Sequence, residues 1–217
     1  MNRALIVCGT SGVGKSSVAA KISQVLAATG VPSAFIDVDA IAQFGPAPWD
    51  RREGVSFHDT LKCKNVRSLW LNFRDAGALN LIVAAHVDSL ELRAQYQRAL
   101  EGCALQVALL TAHPDHLKER LIGRPPDPFH PMTYAEDGTV RQGVFERVPA
   151  EQTRLQAAEV HDFSVVNNTS PAQTAARVLE LAGWLNTDHS PGVMSSRAGA
   201  EVPDREGARR ESGRRAG

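Results

Sequence analysis

Residues 4 to 22 read ALIVCGTSGVGKSSVAAKI, an apolar run that breaks into glycines and then resumes at helical spacing. Ala4 to Cys8 suits a buried parallel strand. Val18, Ile22, Val25 and Leu26 recur on one face of a helix that stops at Gly30, with Pro32 behind it. Between the two halves, Gly9, Gly14, Lys15 and Ser16 occupy every fixed position of the pattern G-x-x-x-x-G-K-[ST].

A strand followed by such a loop and a helix predicts a site for nucleotide phosphates. The glycines let the backbone from Gly9 through Thr10, Ser11, Gly12, Val13 and Gly14 fold into a nest of N–H groups, completed by Lys15, Ser16 and Ser17 at the helix N-terminus. Lys15 would carry a mobile positive charge to the β- and γ-phosphates, and the Ser16 hydroxyl would be a ligand of Mg²⁺.

A chain of 217 residues with 43% hydrophobic content can bury one substantial core, so one domain is expected. The formal net charge is zero and no basic block interrupts the first 186 residues, which argues against a nucleic-acid footprint and for small partners. No apolar run reaches the roughly 20 residues that span a bilayer, and the start MNRALIVC is too short for a secretory signal, so a cytoplasmic protein without a membrane partner is expected. Cys8, Cys63 and Cys103 are odd in number and lack metal-ligand spacing, which reads as buried, reduced thiols.

Apolar runs at residues 4 to 8, 33 to 38, 79 to 85, 104 to 111 and 163 to 166 alternate with segments of helical period at 15 to 29, 59 to 76, 89 to 101, 114 to 123, 150 to 160 and 171 to 185. This is the pattern of an α/β domain with a parallel sheet covered by helices. Asp88 and Glu91 read as a capping pair for one of those helices, with Gly102 after its last turn. Residues from about 124 to 149 are rich in Pro and Gly and carry the turn signal Asp137-Gly138, which predicts a lid insertion. From Asn186 onward Leu, Ile and Phe disappear and Ser, Gly, Ala, Arg and Glu prevail, which cannot build a core, so residues 187 to 217 are expected to form a disordered tail.

A phosphate loop alone does not distinguish a kinase from a motor or a switch; the next carboxylates do. AFIDVDAI places Asp37 and Asp39 two residues apart at the carboxyl end of the second apolar run, where side chains at i and i+2 share a face and where parallel sheets bind ligands. Transfer to an alcohol needs one carboxylate to accept the hydroxyl proton and another to support the metal. A purely structural use, as caps at the strand end, is the alternative. The third run ends LIVAAHV, with no acid at its tip, and His86 stands near as a candidate substrate contact. No base-recognition signature of the GTPase type is present, so ATP is the expected nucleotide.

These residues resemble the P-loop small-molecule kinases that include shikimate kinase, gluconate kinase, adenylylsulfate kinase and chloramphenicol phosphotransferase. The resemblance covers roughly residues 4 to 185 and rests first on GTSGVGKSS. The DVD pair is similar to the D-x-D of shikimate and adenylylsulfate kinases, whose aspartates serve metal and substrate hydroxyl; VDAIA puts Asp39 where chloramphenicol phosphotransferase has its base. HLKERLIGR resembles the lid-entry helix of the family, which implies that Arg120 and Arg124 reach the nucleotide. FSVVNNTSPAQTAARVLEL resembles its last strand and helix, which implies that Asn168 and Thr169 border the adenine. Ala42 replaces an arginine of the adenylylsulfate kinases, and AAHVD replaces a glycine run of the shikimate kinases, so neither substrate fits.

The resulting expectation is a P-loop NTPase with a five-stranded parallel sheet of order 2-3-1-4-5, a lid, and ATP- and Mg²⁺-dependent transfer to a hydroxyl of a small molecule. Lys15, Asp37, Asp39, Arg120 and Arg124 would be its catalytic groups, with Ser16 and Asp37 toward the metal. The segment KCKNVRSLWLNFRDAG would wall the acceptor with Arg67, Trp70 and Arg74, while Val66, Leu69 and Phe73 face the core. A nucleoside monophosphate kinase, drawing on Lys62, Lys64, Arg67 and Arg74, and a regulatory nucleotide-binding protein are the alternatives.

Overall fold

A computed structural model of the chain describes residues 1–45, 55–125, 133–135 and 137–185. The expected tail and most of the proline-bearing part of the expected lid lie outside the described residues.

The apolar runs form strands β1 (Asn2–Cys8), β2 (Ser33–Asp37), β3 (Asn80–Ala84), β4 (Cys103–Thr111) and β5 (Phe163–Val166). They join in one parallel sheet of order β2-β3-β1-β4-β5, with β1 in the centre, in register Val7 to Ala84 on one side and Val7 to Ala108 on the other. Because side chains alternate along a strand, β1 feeds both faces. Ala4, Ile6 and Cys8 pack with Val66, Trp70 and Tyr96, whereas Leu5 and Val7 pack with Val18, Ile22 and Val178.

Helices α1 (Lys15–Ala28), α2 (Val38–Ile41), α3 (Phe57–Asp75), α4 (Leu90–Ala99), α5 (Pro114–Ile122), α6 (Val144–Ala157) and α7 (Pro171–Leu181) fill the connections. The face carrying α1 and α7 and the face carrying α3 and α4 cover the sheet from opposite sides. The chain leaves β1 toward β2 on one side and later crosses from β3 to β4 on the other, so the carboxyl end of β1 lies at the point where strand order reverses and where open α/β sheets bind ligands.

Three boundaries differ from the sequence expectation, each for a local reason. The cap of α4 is Ser89, whose hydroxyl accepts from the Leu92 N–H at 3.2 Å; Asp88 lies one residue too early for the role. Helix α6 starts at Val144 and runs through Pro149, because Val144 and Val148, one turn apart and both buried, hold its first turns against the core despite the missing N–H. Helix α7 ends at Leu181, and Trp184 turns back so that its indole N–H donates to Gln106 at 3.0 Å while Arg3 lies over its ring. Two further readings agree: Asp137-Gly138 forms a turn beside the Tyr134–Val140 bridge, and Cys8, Cys63 and Cys103 are free and buried. No helix among the described residues is long and apolar enough to cross a membrane.

One glycine is fixed by the crossing itself. Gly9 leaves β1 at φ +148°, and a Cβ there would lie 2.7 Å from the Leu110 carbonyl oxygen of β4 and 2.8 Å from a Val13 methyl. Backbone cannot move aside as a side-chain tip can, so Gly9→Ala is expected to cost about 2 to 3 kcal/mol. Denaturant unfolding, with the midpoint lowered at unchanged slope, checks it.

Candidate functional site

The loop from Gly9 to Gly14 is shaped by its own glycines and held from outside by polar side chains. Gly14 has φ +95°, and a Cβ there would come within 2.6 Å of the Asn167 amide nitrogen, so only glycine lets that side chain approach. Asn167 Nδ2 donates to the Val13 carbonyl at 2.7 Å, and Arg120 Nη1 donates to the same oxygen at 3.2 Å. Arg120 Nη2 also donates to the Asn167 carbonyl at 2.8 Å, and the Asn167 carboxamide oxygen accepts from the Thr174 hydroxyl at 2.7 Å. The loop is thereby tied to the end of β5, to α5 and to α7.

Around this loop lies a cavity of about 400 Å³ lined by Ser11, Gly12, Gly14, Lys15, Ser16, Ser17, Asp37, Asp39, Arg120 and Arg124. Most of the residues expected at a nucleotide and metal site therefore meet. Gly9, Thr10 and Val13 lie in the same loop as its buried base. Lys15 is half-buried, and its ammonium donates to the Thr10 carbonyl at 3.1 Å. Burial pushes its pKa below the usual lysine value, against the opposing pull of the carboxylates of Asp39, Glu151 and Asp37.

The aspartate pair reaches the cavity differently from the expectation. Strand β2 ends at Asp37, and Asp39 belongs to the short helix α2, so the two do not share a strand face. Asp37 caps α2, its carboxylate accepting from the Asp39 N–H at 3.1 Å, so the helix cap falls to Asp37 and not to Asp39, which sits in the first helical turn. Lys62 on α3 donates to the Asp39 carboxylate at 3.0 Å, and Asn65 donates to the Ile41 carbonyl at 2.6 Å, so α3 fixes α2 at the cavity. Arg120 and Arg124 also arrive by different means, since α5 ends at Ile122 and Arg124 follows it in the loop.

His86 sits in a second, smaller cavity of about 170 Å³ with Asp88, Glu151, Arg154 and Leu155. Its Nε2 lies 3.6 Å from Glu151 and 3.7 Å from Asp88. Glu151 links this second cavity to the phosphate loop: it accepts from the buried Thr10 hydroxyl at 2.5 Å and its charge acts on Lys15.

The expected acceptor wall does not assemble. Trp70 is 2% exposed and packs in the core with Val66, which is the ordinary fate of a large aromatic on the inward stripe of an amphipathic helix. Leu69 and Phe73 pack beside it, as expected. Arg74 is exposed in the last turn of α3, 3.7 Å from Asp75, and Arg67 lines a separate groove. Asn168 accepts from the His113 backbone N–H at 2.9 Å, and Thr169 meets the Thr174 hydroxyl at 3.4 Å; neither lines the cavity.

Asn167 and Glu151 were not singled out by sequence. Asn167 could have been, as the first polar residue after the apolar run of β5, at the ligand-binding edge of the sheet. Glu151 carries no such mark, because only the docking of α6 brings it to Thr10.

This is an α/β P-loop fold, and solved structures confirm that class. The chain is similar to the tunicamycin resistance protein of Deinococcus radiodurans, with a TM-score of 0.58 at 17% identity over 85% of this chain and 98% of that one. It is similar to a shikimate kinase of Bacteroides thetaiotaomicron, with a TM-score of 0.55 at 16% identity over 83% and 98%. It is also similar to the APS kinase of Mycobacterium tuberculosis in complex with AMPPNP and APS, with a TM-score of 0.53 at 19% identity over 84% and 98%. No protein-family model matches the chain, nor does any curated protein.

The Asn167 carboxamide, 2% exposed, is bonded at both ends. Asn167→Ala leaves the Thr174 hydroxyl without its acceptor and should cost about 1 to 3 kcal/mol. Nucleotide affinity, read by calorimetry on the folded variant, should fall with it, because the loop loses a support.

Proposed function

We propose that the protein transfers the γ-phosphoryl group of ATP to a hydroxyl of a small molecule. The observation that carries this reading is the placing of Asp37 and Asp39 in the cavity that the phosphate loop, Lys15, Arg120 and Arg124 also line. Two kinases of small molecules, of APS and of shikimate, share the fold and support it.

In this reading the loop N–H groups and Lys15 hold the β- and γ-phosphates, and Arg120 and Arg124 flank them with charge that grows in value as the transition state forms. Asp39, held by Lys62, accepts the hydroxyl proton at its carboxylate as the acceptor oxygen bonds to the γ-phosphorus and the bond to the β–γ bridging oxygen breaks, leaving the electron pair on ADP. Ser16 and Asp37 offer the hard oxygen donors that Mg²⁺ takes. Among the described residues no three His, Cys, Asp or Glu side chains are grouped to hold a metal. Bound at Ser16 and Asp37, the cation would offset phosphate charge.

His86, Asp88 and Glu151 then border the acceptor side. The wider assignments rest on the same reading: a kinase domain over residues 1–186, a lid near 124–149, and action in the cytoplasm.

Lys15→Ala should lower phosphoryl transfer by about 10²-fold or more. Its effect on stability has the opposite sign to that of an ordinary buried contact. A lysine whose folded pKa lies below its unfolded value binds its proton less tightly in the folded state, so at neutral pH the charged form detracts from stability, and this penalty fades only as pH rises toward the unfolded value. The variant should therefore melt at an unchanged or higher temperature; a large drop would make Lys15 structural.

For Asp39→Asn, kcat should fall by about 10² to 10⁴-fold with ATP affinity nearly unchanged. Its half-exposed pair with Lys62 is worth at most about 1 kcal/mol, so the fold should persist. Turnover assays with candidate hydroxyl acceptors, beside nucleotide titration, provide the check. Unaltered turnover in this variant would remove the base assignment, and nucleotide binding without phosphorylation of any acceptor would favour the regulatory alternative.

A further inference from the structure

On α3, Thr60, Cys63, Lys64 and Arg67 fall at i, i+3, i+4 and i+7 and make one stripe, which faces α4. From α4 come Gln95, Arg98 and Ala99. The two stripes enclose an open groove of about 220 Å³ whose floor includes the buried Cys63 and whose walls carry Lys64, Arg67 and Arg98.

Its charge is one-sided. No carboxylate lines the groove, and among the described residues none of these three side chains makes an ion pair or hydrogen bond. Asp59, whose charge reaches Cys63, is engaged at the N-terminus of α3, where it accepts from the Ser56 hydroxyl at 2.6 Å. Nor does the floor supply an anion, since burial pushes the Cys63 thiol up to about 12 and keeps it protonated. Elsewhere on these helices cations are matched: Lys62 has Asp39, Arg74 has Asp75 and Arg93 has Asp162.

Three like charges around one concavity repel one another, and an anion relieves that repulsion. We propose that this groove is a second anion site, separate from the phosphate loop, and that it takes a phosphate group carried on a small molecule or free in solution. Two guanidinium forks grip phosphate oxygens in pairs, Lys64 adds a point charge, and the Thr60 hydroxyl and Gln95 amide supply neutral donors. The volume is below the roughly 300 Å³ at which drug-sized ligands begin to fit, so it suits a phosphate or diphosphate group whose remainder extends into solvent. An extended nucleic acid would need a basic track, and the chain as a whole has zero formal net charge.

The test is hydrogen exchange of the full chain with pyrophosphate, orthophosphate and glycerol phosphate, at low and moderate salt, in wild type and in Arg67→Gln/Arg98→Gln. Both arginines are exposed, so the double variant should fold. Protection is expected over residues 60–67 and 95–99 as well as over the phosphate loop at 9–17. In the double variant the first protection should need at least about tenfold more anion, while that at 9–17 is kept. Tighter binding of glycerol phosphate than orthophosphate would assign the groove to a phosphorylated metabolite, and the reverse to free phosphate. Protection confined to 9–17 in the wild type, or groove protection unchanged in the double variant, would overturn the proposal. Loss at 9–17 alone would instead count against the phosphate-loop reading.

Discussion

The carbonyl of Val13 is the point from which the site is held. It projects from the phosphate loop and accepts from both Asn167 at 2.7 Å and Arg120 at 3.2 Å, so β5 and α5 each grip a loop that begins at β1. A loop built to direct its N–H groups at a ligand must turn its carbonyls elsewhere, and each buried carbonyl needs a donor. Two charged or amide donors on one oxygen make that a rigid arrangement. It also explains why Gly14 must be glycine: the Asn167 side chain occupies the space a Cβ would take. The loop, the last strand and the arginine helix thus form one unit in which no part can be moved alone.

How much of this was legible follows from the range of the forces involved. The strands were read within about a residue or two at their ends because both faces of the sheet are buried, and burial writes itself as apolar runs in ALIVC, NLIVA and VALLT. The order of strands came from the resemblance, and the sheet agrees. The errors fell where tertiary packing overrides a local signal. Pro149 reads as a helix boundary, yet α6 passes through it because Val144 and Val148 have core to bury.

The site divides along the same line. Residues whose role depends on the backbone of one motif, from Gly9 to Ser17, were legible because the loop is a local structure. Asp37 and Asp39 were legible as a pair at the sheet edge, though for a partly mistaken reason: they reach the cavity from a strand end and a helical turn. Trp70 was misplaced because an aromatic on a helix between two arginines reads equally as wall or core, and only the position of α3 on the sheet decides. Glu151 belongs to the class that a sequence hides, a carboxylate 141 residues from the hydroxyl it binds.

The pairing of Asp39 with Lys62 bears on whether the cavity is a reaction site or only a binding site. A carboxylate needed only to cap α2 would have no use for a cation, and Asp37 already supplies that cap. Lys62, 19% exposed, commits a long side chain to holding a carboxylate that is itself 44% exposed and faces the cavity. A surface pair of this kind is worth at most about 1 kcal/mol, net of the side-chain entropy it gives up. The pair adds little to stability, and under the proposed function its use is to orient the carboxylate. A base must present one oxygen toward the acceptor proton, and a cation on the other side sets which oxygen that is. Asn65 ties the end of α2 to the same helix, so the carboxylate is positioned by α3, while the proposed phosphate site belongs to the loop after β1. The two halves of the proposed reaction therefore rest on different elements of one sheet edge, joined through β3, which pairs with both β1 and β2.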